Sequence, residues 1–106
     1  MSATFETFEG EVNVIVRVTA KPGKIQEVLE YSKIIKAWCE SDAEPGCDRY
    51  EVLQVGDELC ILEKYKDVAA LIEHTKSEMY EKTEAKIPQL VVEGSLDVKF
   101  WQPAKL

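Results

Sequence analysis

The sequence has little of what most enzyme classes need. It holds one histidine, three cysteines, five glycines and four prolines in 106 residues. With a single histidine and no Cys-x-x-Cys pair, no zinc-ligand spacing exists, so no metal site is expected. The acidic residues never form the Asp-rich, Gly-containing loop that wraps calcium. No Gly-x-Gly-x-x-Gly or Gly-x-x-x-x-Gly-Lys-Ser/Thr stretch is present to cradle the phosphates of a nucleotide. No Gly-x-Ser-x-Gly elbow presents a serine nucleophile. The expectation is an activity without a cofactor. Basic charge is scarce too: 13 Lys and Arg stand against 20 Asp and Glu, a net charge of −7. A nucleic-acid partner needs a basic face, and an anionic membrane surface would repel this chain. No apolar run approaches the ~20 residues of a membrane span. The start, Met1 to Glu6, has neither the basic nor the apolar region of a signal peptide. Cys39, Cys47 and Cys60 are odd in number and read as free thiols of a reducing compartment, so a cytoplasmic location is expected.

What is present is the pattern of one folded domain. Hydrophobic residues make up 45% and charged residues 31%. A chain this short buries roughly two-thirds of its unfolded surface, which leaves little interior to spare. Residues 1–10 are polar and acidic around Phe5 and Phe8 and read as a flexible arm; residues 11–103 read as the domain. Val12, Val14, Val16 and Val18 alternate with Asn13, Ile15, Arg17 and Thr19, which predicts a strand. Ile25, Val28, Leu29, Ser32, Ile35 and Cys39 recur at three and four, which predicts a helix from Lys24 to about Ser41. Glu44-Pro45-Gly46-Cys47 reads as a type II turn with a positive φ at Gly46. Strands are predicted over Arg49–Val55 and Leu59–Lys66, joined by a type II′ link at Gly56-Asp57. Asp67 and Ser77 are candidate caps of two successive helices, the second ending or kinking at Ile87 before Pro88. A last strand alternates Leu96, Val98 and Phe100 against Asp97, Lys99 and Trp101. The order β-α-β-β-α-β is the ferredoxin-like α+β sandwich: a four-stranded antiparallel sheet with helices on one face. The other face, with Ile15, Trp101 and Tyr50, would be open, and an apolar patch of that kind marks an interface. A homodimer packed sheet to sheet is expected.

His74 is the natural proton-transfer group, because its unperturbed pKa lies near 6.5. Glu63 and Tyr65 share one strand face with Ile61 and could orient the imidazole or bind a substrate hydroxyl. The bland alternatives are a helix C-cap for His74 and a core carboxylate and phenol for the other two. Trp38, Tyr31 and Ile34 form a stripe that suits core packing or the wall of a pocket for a planar ligand. Cys60 reads as an inert buried thiol.

Four stretches carry a family resemblance: the strand running into Lys21-Pro22-Gly23-Lys24; Glu44 to Leu53; Glu63-Lys64-Tyr65-Lys66-Asp67 through Ala69-Ala70-Leu71 to His74; and Lys76-Ser77 leading to Tyr80. The chain resembles the antibiotic biosynthesis monooxygenase domain family, which forms dimeric α/β barrels from ferredoxin-like subunits. The resemblance implies a cofactor-independent monooxygenase that oxidises a small quinol- or anthrone-type, polyketide-like aromatic with molecular oxygen. It also leaves open a non-oxidative isomerase, cyclase or decarboxylase, and a non-catalytic binding dimer. His74 matches the histidine common in the family, and Tyr65 stands where Trp is frequent. A second family histidine falls on Met79, and the residues of haem-degrading members fall on Val16, Tyr65 and Glu84, all different. Catalysis is therefore expected from His74, Glu63 and Tyr65, with Val16, Trp38, Ile61, Met79 and Tyr50 lining the pocket.

Overall fold

A computed structural model describes residues 4–106. The alternation of valines becomes strand β1, Val12–Thr19, whose Val12, Val14 and Val18 are buried while Arg17 is exposed. Helix α1, Ile25–Cys39, buries Val28, Ser32 and Cys39, four and seven residues apart on one face. Strands β2, Cys47–Val55, and β3, Glu58–Tyr65, form a hairpin through Gly56-Asp57. Gly56 has φ +58° and Asp57 has no positive φ, which is the type II′ pattern. Helix α2, Val68–Lys76, starts where the Asp67 side chain accepts from the Ala70 N–H at 2.8 Å. Helix α3, Glu78–Leu90, starts where Ser77 Oγ accepts from the Tyr80 N–H at 3.1 Å. Strand β4 is Asp97–Trp101. All pairings are antiparallel and the strand order is β2-β3-β1-β4, the ferredoxin-like α+β arrangement with its second helical region split in two.

The core has three parts. One joins Val18, Val28 and Leu59 to Leu90 and Val91; another gathers Val12, Val14, Tyr65 and Leu71; the third is Cys39, Tyr50 and Ile61. Fully burying side chains such as Leu59 and Val12 contributes roughly 1.5–3 kcal/mol each.

The structure departs from the sequence reading at four places. Helix α3 passes through Pro88 to Leu90 rather than ending at Ile87. Pro88 lies in the last turn, where only one helical bond is forfeited. The burial of Leu90 and Val91 offsets that loss, and Lys21 N–H on Leu90 O and Val92 N–H on Thr19 O, both at 2.8 Å, hold the chain there. The turn at Glu44–Cys47 closes with Cys47 N–H on Glu44 O at 3.1 Å, but Gly46 has no positive φ, so it is not type II. Glycine is required there for space: a Cβ would stand 2.4 Å from Ala70 Cβ. The expected arm is docked over its described part. Thr4–Thr7 forms a short 3-10 helix, Phe5 stacks on Phe100 with ring centroids 4.6 Å apart, and Phe8 packs beside the second cluster; residues 1–3 of that arm lie outside the described residues. Finally, Tyr50 is on the helix-covered face and buried, not on the open one. A register shift between Cys47 and Arg49 turns the strand and sets Tyr50 opposite Glu63.

Candidate active site

Between the sheet and its helices lies a cavity of about 180 Å³ whose walls take members of all three core clusters. β1 supplies Val14, Val16 and Val18, β3 supplies Ile61 and Glu63, and α1 supplies Tyr31 and Ile35. Helices α2 and α3 supply His74, Met79 and Tyr80. No Lys or Arg is among the lining residues.

His74 is the centre of the polar wall. It sits in the last turn of α2 and is buried. Its Nδ1 lies 2.6 Å from Glu44 Oε1, and its Nε2 lies 3.9 Å from Glu63 Oε1. A carboxylate oxygen accepts, so Nδ1 is the ring nitrogen that donates to Glu44, and Nε2 is the one turned to Glu63. The ring is held between two phenols: the Tyr65 centroid is 5.2 Å away and tilted, and the Tyr80 centroid is 5.3 Å away and edge-on. Tyr65 O–H donates to Glu63 Oε1 at 2.5 Å. Burial pushes the Glu63 carboxyl above the ordinary range; the Tyr65 hydrogen bond and the charge of His74 oppose this, and the Glu44 charge adds to it. Burial first, then the Glu63 charge, pushes the Tyr65 and Tyr50 phenols up, so both stay protonated donors. Tyr80 is pushed up to about 12 by burial and by Glu84.

The sequence-chosen residues divide accordingly. Glu63, His74, Val16, Ile61, Met79 and Tyr50 all line the cavity. Tyr65 does not; it reaches the site through Glu63. Trp38 is not a wall residue either: α1 lines the cavity with Val28, Tyr31, Ser32 and Ile35, and Trp38 lies one turn past the last of these. Glu44, the nearest partner of His74, was missed. It stands in the loop between α1 and β2, where no periodicity flags it. Tyr80 was missed as a ring neighbour; the Ser77 cap that fixes its place was the available signal.

Behind Glu44 the two thiols of Cys39 and Cys47 meet. The Cys47 thiol donates to Arg49 O at 3.6 Å, and interaction between the two thiols pushes Cys39 up and Cys47 down. Cys39, Glu44 and His74 each offer one ligand atom, and these atoms lie within 4.8 Å of one another. Three separate elements supply the three atoms, so no spacing in the sequence marks the group.

The class defined by these features is the ferredoxin-like α+β sandwich that encloses an apolar cavity with a buried histidine on its wall. The chain belongs to the antibiotic biosynthesis monooxygenase family, whose model matches residues 12–86. It is similar to the solved structure of Rv0793 from Mycobacterium tuberculosis, with 26% identity, a TM-score of 0.82, and coverage of 91% of this chain and 97% of that one. A candidate antibiotic biosynthesis monooxygenase from Caulobacter crescentus CB15 shares the fold at 20% identity and a TM-score of 0.83, covering 92% and 93%. One from Nitrosomonas europaea does so at 19% and 0.79, covering 91% and 93%. Among curated proteins there is no match. Among the described residues no helix is long and apolar enough to cross a membrane.

Proposed function

We propose that the protein is a monooxygenase that oxidises a single-ring, quinol-like aromatic with molecular oxygen and no cofactor. One observation carries this reading: His74 is held by Glu44 through Nδ1 while its Nε2 is turned to Glu63, and both His74 and Glu63 line an apolar cavity. An electron-rich phenol can reduce oxygen itself once deprotonated, so the protein has to supply a base, a hydrogen-bond acceptor and a dry wall. In this reading Nε2 takes the phenolic proton and Glu63 accepts from the second hydroxyl. The phenolate passes an electron to oxygen, the two radicals join as a carbon–oxygen bond, and the resulting peroxide breaks. One oxygen atom stays on the ring and the other leaves as water with two substrate hydrogens, so the substrate supplies every electron.

The walls narrow the substrate class. An apolar cavity of about 150 Å³ accommodates benzene, so 180 Å³ suits one substituted ring better than the three fused rings of an anthrone. With no Lys or Arg in the wall, a carboxylated or phosphorylated substrate would be desolvated without a partner. A neutral quinol fits.

The chain is further proposed to act as a homodimer joined through the uncovered sheet face. Ile15 and Leu62 are neighbours there, and Leu53 and Trp101 are each half exposed. A cytoplasmic location is proposed on the free thiols.

Oxygen consumption with substituted hydroquinones tests the reaction. One oxygen should be consumed per quinol, and His74→Ala should lower the rate at least about a hundredfold. Turnover that persists without oxygen would replace this reading with the isomerase one, and an inert protein with all single-ring quinols would end it.

A further inference from the structure

We propose that Cys39, Cys47, Glu44 and His74 form a binding site for a thiophilic divalent cation of the zinc kind, on the side of the Glu44–His74 pair away from the cavity. Four observations converge. Cys39 Sγ, a Glu44 carboxylate oxygen and a His74 ring nitrogen lie within 4.8 Å of one another. Cys47 is not one of that close group, but it packs against the cluster that holds Cys39 and lines the same cleft as Cys39 and Glu44, so recruiting it as a second sulfur would complete two sulfurs, one oxygen and one nitrogen, a donor set that suits tetrahedral zinc. The Glu44 side chain is only 8% exposed, yet its Oε2 has no hydrogen-bond partner, a costly state for a buried carboxylate oxygen that a cation would relieve. An entry path exists, because Cys39, Glu44 and Cys47 also line a polar surface cleft together with Asp48 and Arg49.

The required movement is small. Metal–ligand lengths of about 2.0–2.3 Å put tetrahedral ligand atoms less than about 4 Å apart, so the set must contract by roughly 1 Å. Glu44 stands on the loop between α1 and β2, the segment best able to supply that. The cation would take the seat of the Nδ1 proton, so the metal-free protein is the form to which the proposed oxidation applies.

The test uses the intact, reduced, metal-free chain and reads binding, not turnover, so it stands apart from the proposed reaction. Cobalt(II) added to it should develop a cobalt–thiolate charge-transfer band that saturates at one ion per chain, and zinc should displace it. Zinc should also protect two of the three thiols from a thiol reagent until a chelator is added. Cys39→Ser and Cys47→Ser, each checked by circular dichroism for the native fold, should each weaken binding at least about tenfold. A Glu44→Gln variant should keep the thiolate band but hold the ion less tightly. Absence of a thiolate band, or cobalt affinity unchanged in both serine variants, would overturn the assignment.

Discussion

The two faces of the one sheet handle charge in opposite ways. On the open face charges pair in water: Arg17 with Glu58 at 2.9 Å, Arg49 with Glu51 at 2.8 Å and Lys64 with Glu11 at 3.2 Å. Such exposed pairs contribute about 0–1 kcal/mol each. On the covered face two carboxylates, Glu44 and Glu63, meet one imidazole and no Lys or Arg in the cavity wall. The same residue type is a solubilising group on one side and a group with displaced chemistry on the other, where burial pushes Glu63 up. The difference comes from dielectric, not composition.

The strongest way to break this contrast is to remove the inner partner. Glu44→Ala should destabilise the fold by about 3 kcal/mol, because His74 is left buried without its acceptor. Glu44→Gln should recover most of that stability in thermal melts while quinol turnover stays at least about tenfold down, because a neutral amide does not stabilise the imidazolium. Equal stability losses for the two variants would mean that Glu44 only fills space. On the open face, Leu62→Glu should leave the monomer folded but weaken association by about a hundredfold, the cost of burying an unpaired carboxylate between sheets. Sedimentation at micromolar concentration reads this; a wild-type protein that sediments as a monomer would remove the interface altogether.

A smaller effect tests how the loop that carries Glu44 is placed. Gly46→Ala puts a methyl 2.4 Å from Ala70 Cβ and should destabilise by about 1–3 kcal/mol. Adding Ala70→Gly should restore most of it, and a coupling near zero in that double-mutant cycle would contradict the close approach.

How much of this was legible in the sequence follows from which features are periodic. The valines of β1, the stripe of α1 and the Asp67 and Ser77 caps are local signals, and they led to the correct elements. Glu63 and Tyr65, two apart on one strand, were readable together, and His74 was conspicuous as the lone histidine. Glu44 was not readable, because a non-periodic loop delivers it and the contact that fixes the loop, Gly46 on Ala70, spans two elements. Trp38 was misplaced because helical period gives the face of a residue and not where along the axis a cavity stops. Tyr50 was placed on both faces because a bulge shifts the register of β2. The cysteine–glutamate–histidine cluster has no spacing signature, since positions 39, 44 and 74 meet only in the fold.

The smallest expected effect sharpens the contrast from its weaker side. Glu11 accepts from Asn13 at 2.9 Å and pairs with Lys64 at 3.2 Å, and these two hydrogen bonds hold its carboxyl below the ordinary range. A carboxyl lowered in the fold favours folding above its unfolded pKa, and that contribution is lost as pH falls through the lowered folded value. Glu63 has the reverse sign, since burial favours its neutral form and folding then loses ground as pH rises. Glu11→Gln should therefore leave the melting temperature at neutral pH nearly unchanged and slightly flatten its decline in acid, and added salt should erase the difference. If the acid decline were instead steeper in Glu11→Gln, the open face would not be the screened, weakly coupled surface that its geometry describes.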